Sequence, residues 1–244
     1  MRLKGKVALI TGGGRGIGKT IALAYAKEGA YVALSARNES QIKSVAKEIQ
    51  ELSQRAVAMK VDIRKEEDVK RMVERVIQKF GKIDILVNNA GVTEKKPSKE
   101  VKDLPKEEWD RIIQTNLTGT FLCTKSVLPY MINRRSGNII NISSALGHKG
   151  RPKKENSVAY IVSKFGIEGF TEYLSKELKE YNINVNALYP GVPVDTGFFN
   201  YLSDEQRKKL ARPEIVTEPA ILLASQRPAA MSGKSINASR PIWK

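Results

Sequence analysis

One cysteine and one histidine in 244 residues leave little room for disulfide or transition-metal chemistry. Cys123 has no partner within the chain and no neighbours at metal-ligand spacing, so it reads as a small buried side chain on a helix. His148 alone cannot build a multi-histidine zinc or iron site, and no metal is expected. Long apolar runs are missing too. None approaches the roughly 20 residues that span a bilayer, and residues 7–10 are too short for the apolar part of a signal peptide and have no cleavage site behind them. The expectation is a soluble cytoplasmic protein with no membrane partner. Acidic residues are in deficit, with 26 Asp and Glu against 42 Lys and Arg, for a net charge of +16. Such a surplus suits nucleic acid, an anionic membrane or an acidic protein. Here the basic residues are spread along the chain and mixed with acidic ones, as between Glu94 and Glu108, and no RRM, KH, zinc-finger or basic-zipper pattern accompanies them. A solvated surface is expected, and no nucleic-acid partner.

What the chain does have is a glycine-rich stretch at residues 6–19, KVALITGGGRGIGK. Residues 7–10 read as a buried strand and those after Gly18 as a helix. A glycine turn between the two lets the backbone approach a pyrophosphate closely, and negative charge then sits on the free N–H groups and positive dipole end of the helix. Gly12, Gly14, Arg15, Gly16, Ile17 and Gly18 are the candidate contacts. Glycines also mark any tight strand-to-helix connection, so the downstream residues must decide.

Downstream, strands alternate with helices. Ile21, Ala22, Leu23, Tyr25 and Ala26 give the first helix an apolar face, which Gly29 ends. A second strand, 31–36, stops at Ser35-Ala36-Arg37. An Asp or Glu there would accept hydrogen bonds from the 2′-hydroxyl of NAD. Arg37 instead offers a guanidinium to a 2′-phosphate, with Arg15 able to reach the same group, so NADP(H) is expected in preference to NAD(H). Arg37 also fits as a surface residue before a helix opened by Asn38 or Ser40. That helix is expected over 40–54, a strand over 56–61, a helix over 66–80 closed by Gly81, and a strand over 83–87 that runs into Asn88-Asn89-Ala90-Gly91. Asp62-Ile63 can meet an adenine amino group or cap the next helix.

A long helix over 106–134 holds Asn116 on an apolar segment, where a polar side chain is either a satisfied core residue or present for a purpose. A strand over 138–142 delivers Ser143-Ser144, a helix over 157–181 carries Tyr160 and Lys164, a strand over 183–188 leads to Pro190-Gly191, and a last strand covers 235–238. Tyr160 and Lys164 lie four apart and share a helix face. A nearby cation favours a phenolate over a phenol by about 1 to 3 pKa units. The alternation argues for an α/β fold, a doubly wound parallel sheet of about seven strands flanked by helices, with its ligand crevice beyond the carboxyl ends of the strands.

Residues 11–18 (TGGGRGIG), Asp62, Asn88 to Gly91, Asn116, Ser144, Tyr160 with Lys164, and Pro190-Gly191, in this order and spacing, resemble the short-chain dehydrogenase/reductase family over nearly the whole chain. Residues 11–18 and the chain length resemble its 3-oxoacyl-carrier-protein reductases in particular. The resemblance implies a single Rossmann-type NAD(P)-binding domain over 1–244 with a substrate lid near 192–214. It implies an NADP(H)-dependent oxidoreductase that interconverts a carbonyl and a secondary alcohol. Tyr160 would give a proton to the carbonyl oxygen as hydride arrives at carbon, and Ser144 would hydrogen-bond that oxygen. Lys164 would lower the Tyr160 pKa and hold the nicotinamide ribose, and Asn116 would mark a kink and hold a water that extends a proton relay from the lysine. Asp62, Ile63, Asn89, Ala90, Gly91, Tyr160, Lys164, Pro190, Gly191 and Val194 would complete the cofactor site, Val194 standing in because Pro193 has no N–H.

The substrate is a small-molecule carbonyl or alcohol. It can be an acyl thioester, for which the basic surface would suit an acidic carrier protein. A sugar, polyol or xenobiotic ketone, or a non-catalytic NADP-binding regulator, are the alternatives. A homo-oligomer, tetramer or dimer, is implied, with the helices of Asn116 and Tyr160 on a dimer face. Two stretches depart from the family. The run from Ser144 to Tyr160 is longer than usual, with extra material placed at 151–155, which leaves Ser143 open beside Ser144. Arg151, Lys153, Lys154 and His148 there can meet an anionic substrate or stay solvated. The run from Pro190-Gly191 to Thr196 is also longer. Residues 198–212 are expected as a mobile helical lid, with Phe198, Phe199, Tyr201 and Leu202 facing substrate or packing on the core.

Overall fold

The computed structural model describes residues 1–94, 100–148, 157–198 and 202–240. Seven strands, β1 (Val7–Thr11), β2 (Tyr31–Ala36), β3 (Ala56–Lys60), β4 (Ile85–Asn88), β5 (Gly137–Ile142), β6 (Ile183–Tyr189) and β7 (Ser235–Asn237), form one sheet in the order β3-β2-β1-β4-β5-β6-β7. Every pairing is parallel. The chain winds outward from β1 in one direction, then returns to β1's other edge with β4. This reversal opens a crevice at the carboxyl ends of β1 and β4.

The strands are buried on both faces, and alternate residues serve different layers. Ala8 and Ile10 face α1 (Gly16–Lys27), α2 (Glu39–Glu51) and α8 (Thr217–Ala224), packing with Ile21, Tyr25, Ile42, Ile49 and Ile221. Val7 and Leu9 face α3 (Glu66–Phe80) and α5 (Gly119–Arg134), packing with Val69, Met72, Val76, Val127 and Met131. Cys123 lies in this second layer, fully buried, and burial pushes its thiol up to about 12, which keeps it an inert thiol. Asn38 rather than Ser40 caps α2, its side chain accepting from Gln41 N–H. Gly81 ends α3 in the left-handed conformation, with φ of 77°.

Two expected helices differ from the sequence reading. The long helix over 106–134 is three pieces, α4 (Lys106–Ile113), a π-helical turn at Gln114–Thr118, and α5. Its interruption falls at Asn116, where the resemblance put a kink. The lid expected as a helix over 198–212 holds, among the described residues, only the short α7 (Asp204–Arg207). Ser203 starts α7 through a capping box with Gln206. Beyond it hydrogen-bonded turns carry the chain through Leu210, and a parallel bridge then joins Ala211 to Val194. Arg151, Lys153, Lys154, Phe199 and Tyr201 lie outside the described residues.

Several buried asparagines replace apolar residues in the sheet. On one face Asn88 Nδ2 donates to Asn141 Oδ1 at 2.9 Å and to Thr124 Oγ1 at 3.0 Å, and Asn141 Nδ2 donates to Thr171 Oγ1 at 2.9 Å. On the other, Asn138 Nδ2 donates to Ala224 O and Asn184 Nδ2 to Arg227 O, which binds the segment after α8 to the sheet. At the amino end of the sheet, Asp84 is 5% exposed. It accepts from Val7 N–H at 2.8 Å and pairs with Arg134 at 2.7 Å and Lys82 at 3.0 Å. Burial alone would raise this carboxyl, but Arg134, the Val7 amide and Lys82 outweigh it and hold the pKa below the ordinary value. Its stabilising effect is therefore present above a pH of about 4 and lost as pH falls through the depressed value. Asp84→Ala is expected to cost about 2 to 4 kcal/mol at neutral pH. A urea midpoint shift at constant slope would show it, and the gap between variant and wild type should shrink in acid.

Candidate active site

The crevice is bordered by the ends of β1, β2, β4, β5 and β6, and each delivers a residue that the sequence reading singled out. At β1, the N–H groups of Gly12 and Gly13 are tied to Ser35 O on β2, at 2.7 and 3.2 Å. Arg15 precedes α1 in extended conformation. The N–H groups of Gly16, Ile17 and Gly18 open the helix and have no intrahelical acceptor. Gly18 admits no side chain, since a Cβ there would collide with Gly12 O and Asn89 Nδ2. Gly14 packs on Gln41 and Gly16 on Thr196. The turn is a bare backbone cradle at a positive helix end, the form that a pyrophosphate requires.

Asn89 and Ala90 act on this cradle from β4. Asn89 Nδ2 donates to Thr11 O at 2.9 Å and Gly12 O at 3.1 Å, while Asn89 and Ala90 N–H both donate to Thr11 Oγ1. Gly91 passes 3.4 Å from the Asn116 side-chain oxygen, measured from the position a Cβ would take. At the end of β2, Arg37 is exposed, and among the described residues neither it nor Arg15 forms an ion pair. Asp62 does. Arg64 donates to both its carboxylate oxygens, through Nε at 2.9 and 3.1 Å and Nη2 at 2.5 Å. This fork lowers the Asp62 pKa, with burial opposing and the Arg64 amide and Arg37 charge assisting. Asp62 does not cap the next helix: α3 begins at Glu66, and Asp62 receives Arg64 N–H instead. Ile63 is buried beside it, its side chain against Gly119.

At β5, Ser143 and Ser144 separate. Ser143 is 3% exposed and its hydroxyl is sealed from solvent, whereas Ser144 is half-buried and heads a short 3-10 turn, Ala145–Gly147. Ser144 Oγ accepts Leu146 N–H at 3.2 Å, which leaves its own proton to donate. Helix α6 (Val158–Glu177) brings Tyr160 and Lys164 to the same edge. Lys164 Nζ sits 5.5 Å from the centre of the Tyr160 ring and donates to Ile142 O at 2.7 Å. Phe198 covers the Tyr160 ring edge-on at 6.5 Å. Burial pushes the Lys164 ammonium down to about 8, with Glu168 opposing the shift.

Asn116 is 1% exposed, and its whole side chain is engaged: Oδ1 accepts Val92 N–H at 2.8 Å, and Nδ2 donates to Val92 O at 2.9 Å and Ser163 Oγ at 3.0 Å. The structure thus gives this side chain an anchoring task. After β6, Pro190 is half-buried and Gly191 has φ of 80°, with the Asn237 side chain in the space a Cβ would need. Pro193 O and Asp195 N–H both pair with Ala211, so in this parallel bridge the N–H of the intervening Val194 points to the other side. Asp195 also pairs with Arg207 of α7, at 3.0 Å.

Three participants escaped the sequence reading. Arg64 has no motif and is seen only once it folds onto Asp62. Ser163 bridges Asn116 to the Tyr160 carbonyl. Glu94, 6% exposed, accepts Ala159 N–H at 3.2 Å from a different segment.

A parallel sheet that reverses beside a glycine cradle, with a Tyr–Lys pair and a serine at the same edge, defines a nucleotide-dependent oxidoreductase. The family described as short chain dehydrogenase matches residues 6–207. The 3-oxoacyl-[acyl-carrier-protein] reductase FabG of Thermotoga maritima is 38% identical over 245 residues, which cover 97% of this chain and 97% of that one. Its counterpart from Vibrio cholerae is 34% identical over 252 residues, covering 100% of this chain and 99% of its own. Among solved structures, a 3-ketoacyl-(acyl-carrier-protein) reductase from Brucella melitensis complexed with NADH superposes with a TM-score of 0.87 at 34% identity, over 96% of this chain and 97% of that one. A metagenomic short-chain oxidoreductase in complex with NADP gives 0.83 at 28% identity, over 97% of each. The chain belongs to the short-chain dehydrogenase/reductase family, whose members are oxidoreductases that use nicotinamide cofactors.

Because the folded Lys164 has a depressed pKa, the folded protein binds fewer protons than the unfolded chain between a pH of about 8 and the ordinary lysine value. Stability gains from this residue as pH rises through that window. In nucleotide-free protein, lysine side-chain NMR is expected to show one resonance titrating near a pH of about 8, absent in Lys164→Arg. Titration of Lys164 with the bulk of the lysines would show that its ammonium is solvated.

Proposed function

We propose that this chain is a cytoplasmic NADP(H)-dependent reductase of carbonyl compounds, with 3-oxoacyl thioesters on a carrier protein as its substrate. The observation that carries the chemistry is the Lys164 ammonium 5.5 Å from the centre of the Tyr160 ring and bonded to Ile142 O, two residues before the half-buried Ser144. The cofactor fits the residues present. The bare glycine cradle would hold the pyrophosphate, Asp62 and Ile63 would border the adenine, and Tyr160 and Lys164 would meet the nicotinamide ribose. Arg37 and Arg15, unpaired among the described residues, would take a 2′-phosphate. The Val194 N–H, turned away from its bridge to Ala211, would donate to the carboxamide oxygen. When bound, the nicotinamide supplies hydride to the carbonyl carbon.

The protein's own groups handle the oxygen. Ser144 donates its hydroxyl proton toward the carbonyl oxygen as charge develops there. Tyr160 transfers its proton to that oxygen, and the nearby Lys164 cation stabilises the phenolate left behind. The surplus of 42 Lys and Arg over 26 Asp and Glu suits an acidic carrier protein, and the relatives named above that act on carrier-protein substrates span almost the whole chain. We also infer a homo-oligomer, a dimer or tetramer. Phe121 on α5 and Val162 and Tyr173 on α6 are 45%, 40% and 65% exposed, an unusual apolar group for a surface left to water. Residues 192–214 form one domain with the rest and act as its substrate lid, fastened by the Asp195–Arg207 pair.

Oxidation of NADPH followed by absorbance, with acetoacetyl thioesters beside small ketones, sugars and polyols, tests this reading. Turnover of the thioester that weakens with salt supports it, and turnover confined to sugars or simple ketones moves the substrate assignment there. Tyr160→Phe is expected to lower kcat by roughly 10²-fold or more. Full activity in that variant excludes the mechanism, and tight NADPH binding with no turnover of any compound favours a regulator. Arg37→Ala is expected to raise the KM for NADPH about tenfold while leaving that for NADH nearly unchanged. An equal change for both cofactors would remove Arg37 from the 2′-phosphate site.

A further inference from the structure

The first turn of α6 carries Tyr160, yet Ser157, which precedes it, makes no side-chain cap. The cap comes from elsewhere. Glu94, six residues beyond the end of β4, accepts the Ala159 N–H one position before the tyrosine. This carboxylate is 6% exposed, and among the described residues no cation pairs with it. A buried carboxylate is costly, and a helix N-terminus is one of the few places that compensates it, through a free N–H and the positive dipole end.

Glu94 is itself held in place. Thr93 O accepts from Arg111 Nη2 at 2.6 Å, Thr93 Oγ1 donates to Glu94 Oε2 at 3.3 Å, and Val92 is gripped at both backbone groups by Asn116. The same Asn116 donates to Ser163 Oγ, which donates to Tyr160 O at 2.7 Å. The helix is thus bracketed on both sides of the tyrosine, by Glu94 at Ala159 and by Asn116 through Ser163. Both brackets start from one stretch, Val92-Thr93-Glu94, at the crevice edge.

Building on the role given to Tyr160 above, we propose that Glu94 is a positioning residue for the reaction: its carboxylate fixes the first turn of α6 and thereby aims the Tyr160 hydroxyl at the substrate oxygen. It touches neither substrate nor cofactor. Removing it leaves the nucleotide cradle intact and loosens only the proton donor.

The test compares Glu94→Ala and Glu94→Gln with wild type and Tyr160→Phe, using NADPH and acetoacetyl-CoA, with NADPH affinity read separately by fluorescence. Glu94→Ala is expected to lower kcat about tenfold with the KM for NADPH within about twofold of wild type, the scale of a small misplacement of a reacting group. Glu94→Gln keeps an oxygen that accepts the same N–H and should retain kcat within about threefold. Amide exchange in a peptide spanning residues 158–162 should quicken in Glu94→Ala and stay near wild type in Glu94→Gln. Wild-type kcat in Glu94→Ala, equal impairment of the two variants, or a loss confined to KM would each overturn the proposal. If Glu94→Ala does not fold, Glu94→Gln decides alone: near-normal kcat and exchange support it, and a tenfold loss overturns it. Activity surviving in Tyr160→Phe would fault the reading of Tyr160 itself, whereas an inactive Tyr160→Phe beside a fully active Glu94→Ala would fault Glu94 only.

Discussion

The amide of Asn89 holds together the two strands that flank the reversal of the sheet. Its Nδ2 reaches the carbonyls of Thr11 and Gly12, and Thr11 Oγ1 takes the N–H groups of Asn89 and Ala90 in return. These contacts set the glycine turn against the end of β4 with four hydrogen bonds shielded from much of the solvent, where such bonds are strong. β4 then continues into Val92 and Glu94, whose partners lie on the π turn and on α6. A single strand end therefore fixes both the glycine turn and the helix that carries the tyrosine. Displacing it would disturb both at once.

Much of the sheet could be read from the way strand-length apolar runs alternate with helical periods. Residues 7–10 lie in β1, whose Val7 and Leu9 serve one layer and Ala8 and Ile10 the other, and the helix at Glu66–Phe80 stands where its apolar period and Gly81 put it. The motif residues also reached a common crevice, because the carboxyl ends of parallel strands converge whatever the side chains do. What could not be read depends on approach through space. The π turn adds a residue to one helical turn without altering the apolar pattern enough to show, so residue spacing gave one continuous helix. Residues 198–212, with their aromatics, read as a helical lid. The stronger local signal was Ser203 with Gln206, a capping box that starts a helix only at Asp204. Glu94 and Arg64 carry no sequence signature, since their partners are Ala159 from a distant helix and Asp62 across a tight turn.

The interior near the crevice is more polar than a hydrophobic core needs. Asn88, Asn141, Thr124 and Thr171 form a connected chain across β4, β5, α5 and α6. Lys164 lies in the same layer, 6% exposed, with Ile142 O as acceptor. Burying an ammonium costs energy unless it finds such partners, and the cost is visible in its pKa of about 8. The same burial that weakens its hold on a proton leaves the charge poorly screened, so the ammonium acts more strongly on the neighbouring phenol than it would at the surface.

Gly191 bends where the Asn237 side chain fills the space beside it, and 46 positions of sequence separate the two. During synthesis the strands β1 to β4, with the glycine turn, leave the ribosome well before β7. Amino-terminal structure generally forms first on a growing chain. The floor beyond β6 acquires its packing only when β7 docks, so the nascent protein would possess its glycine turn before it possesses a finished crevice.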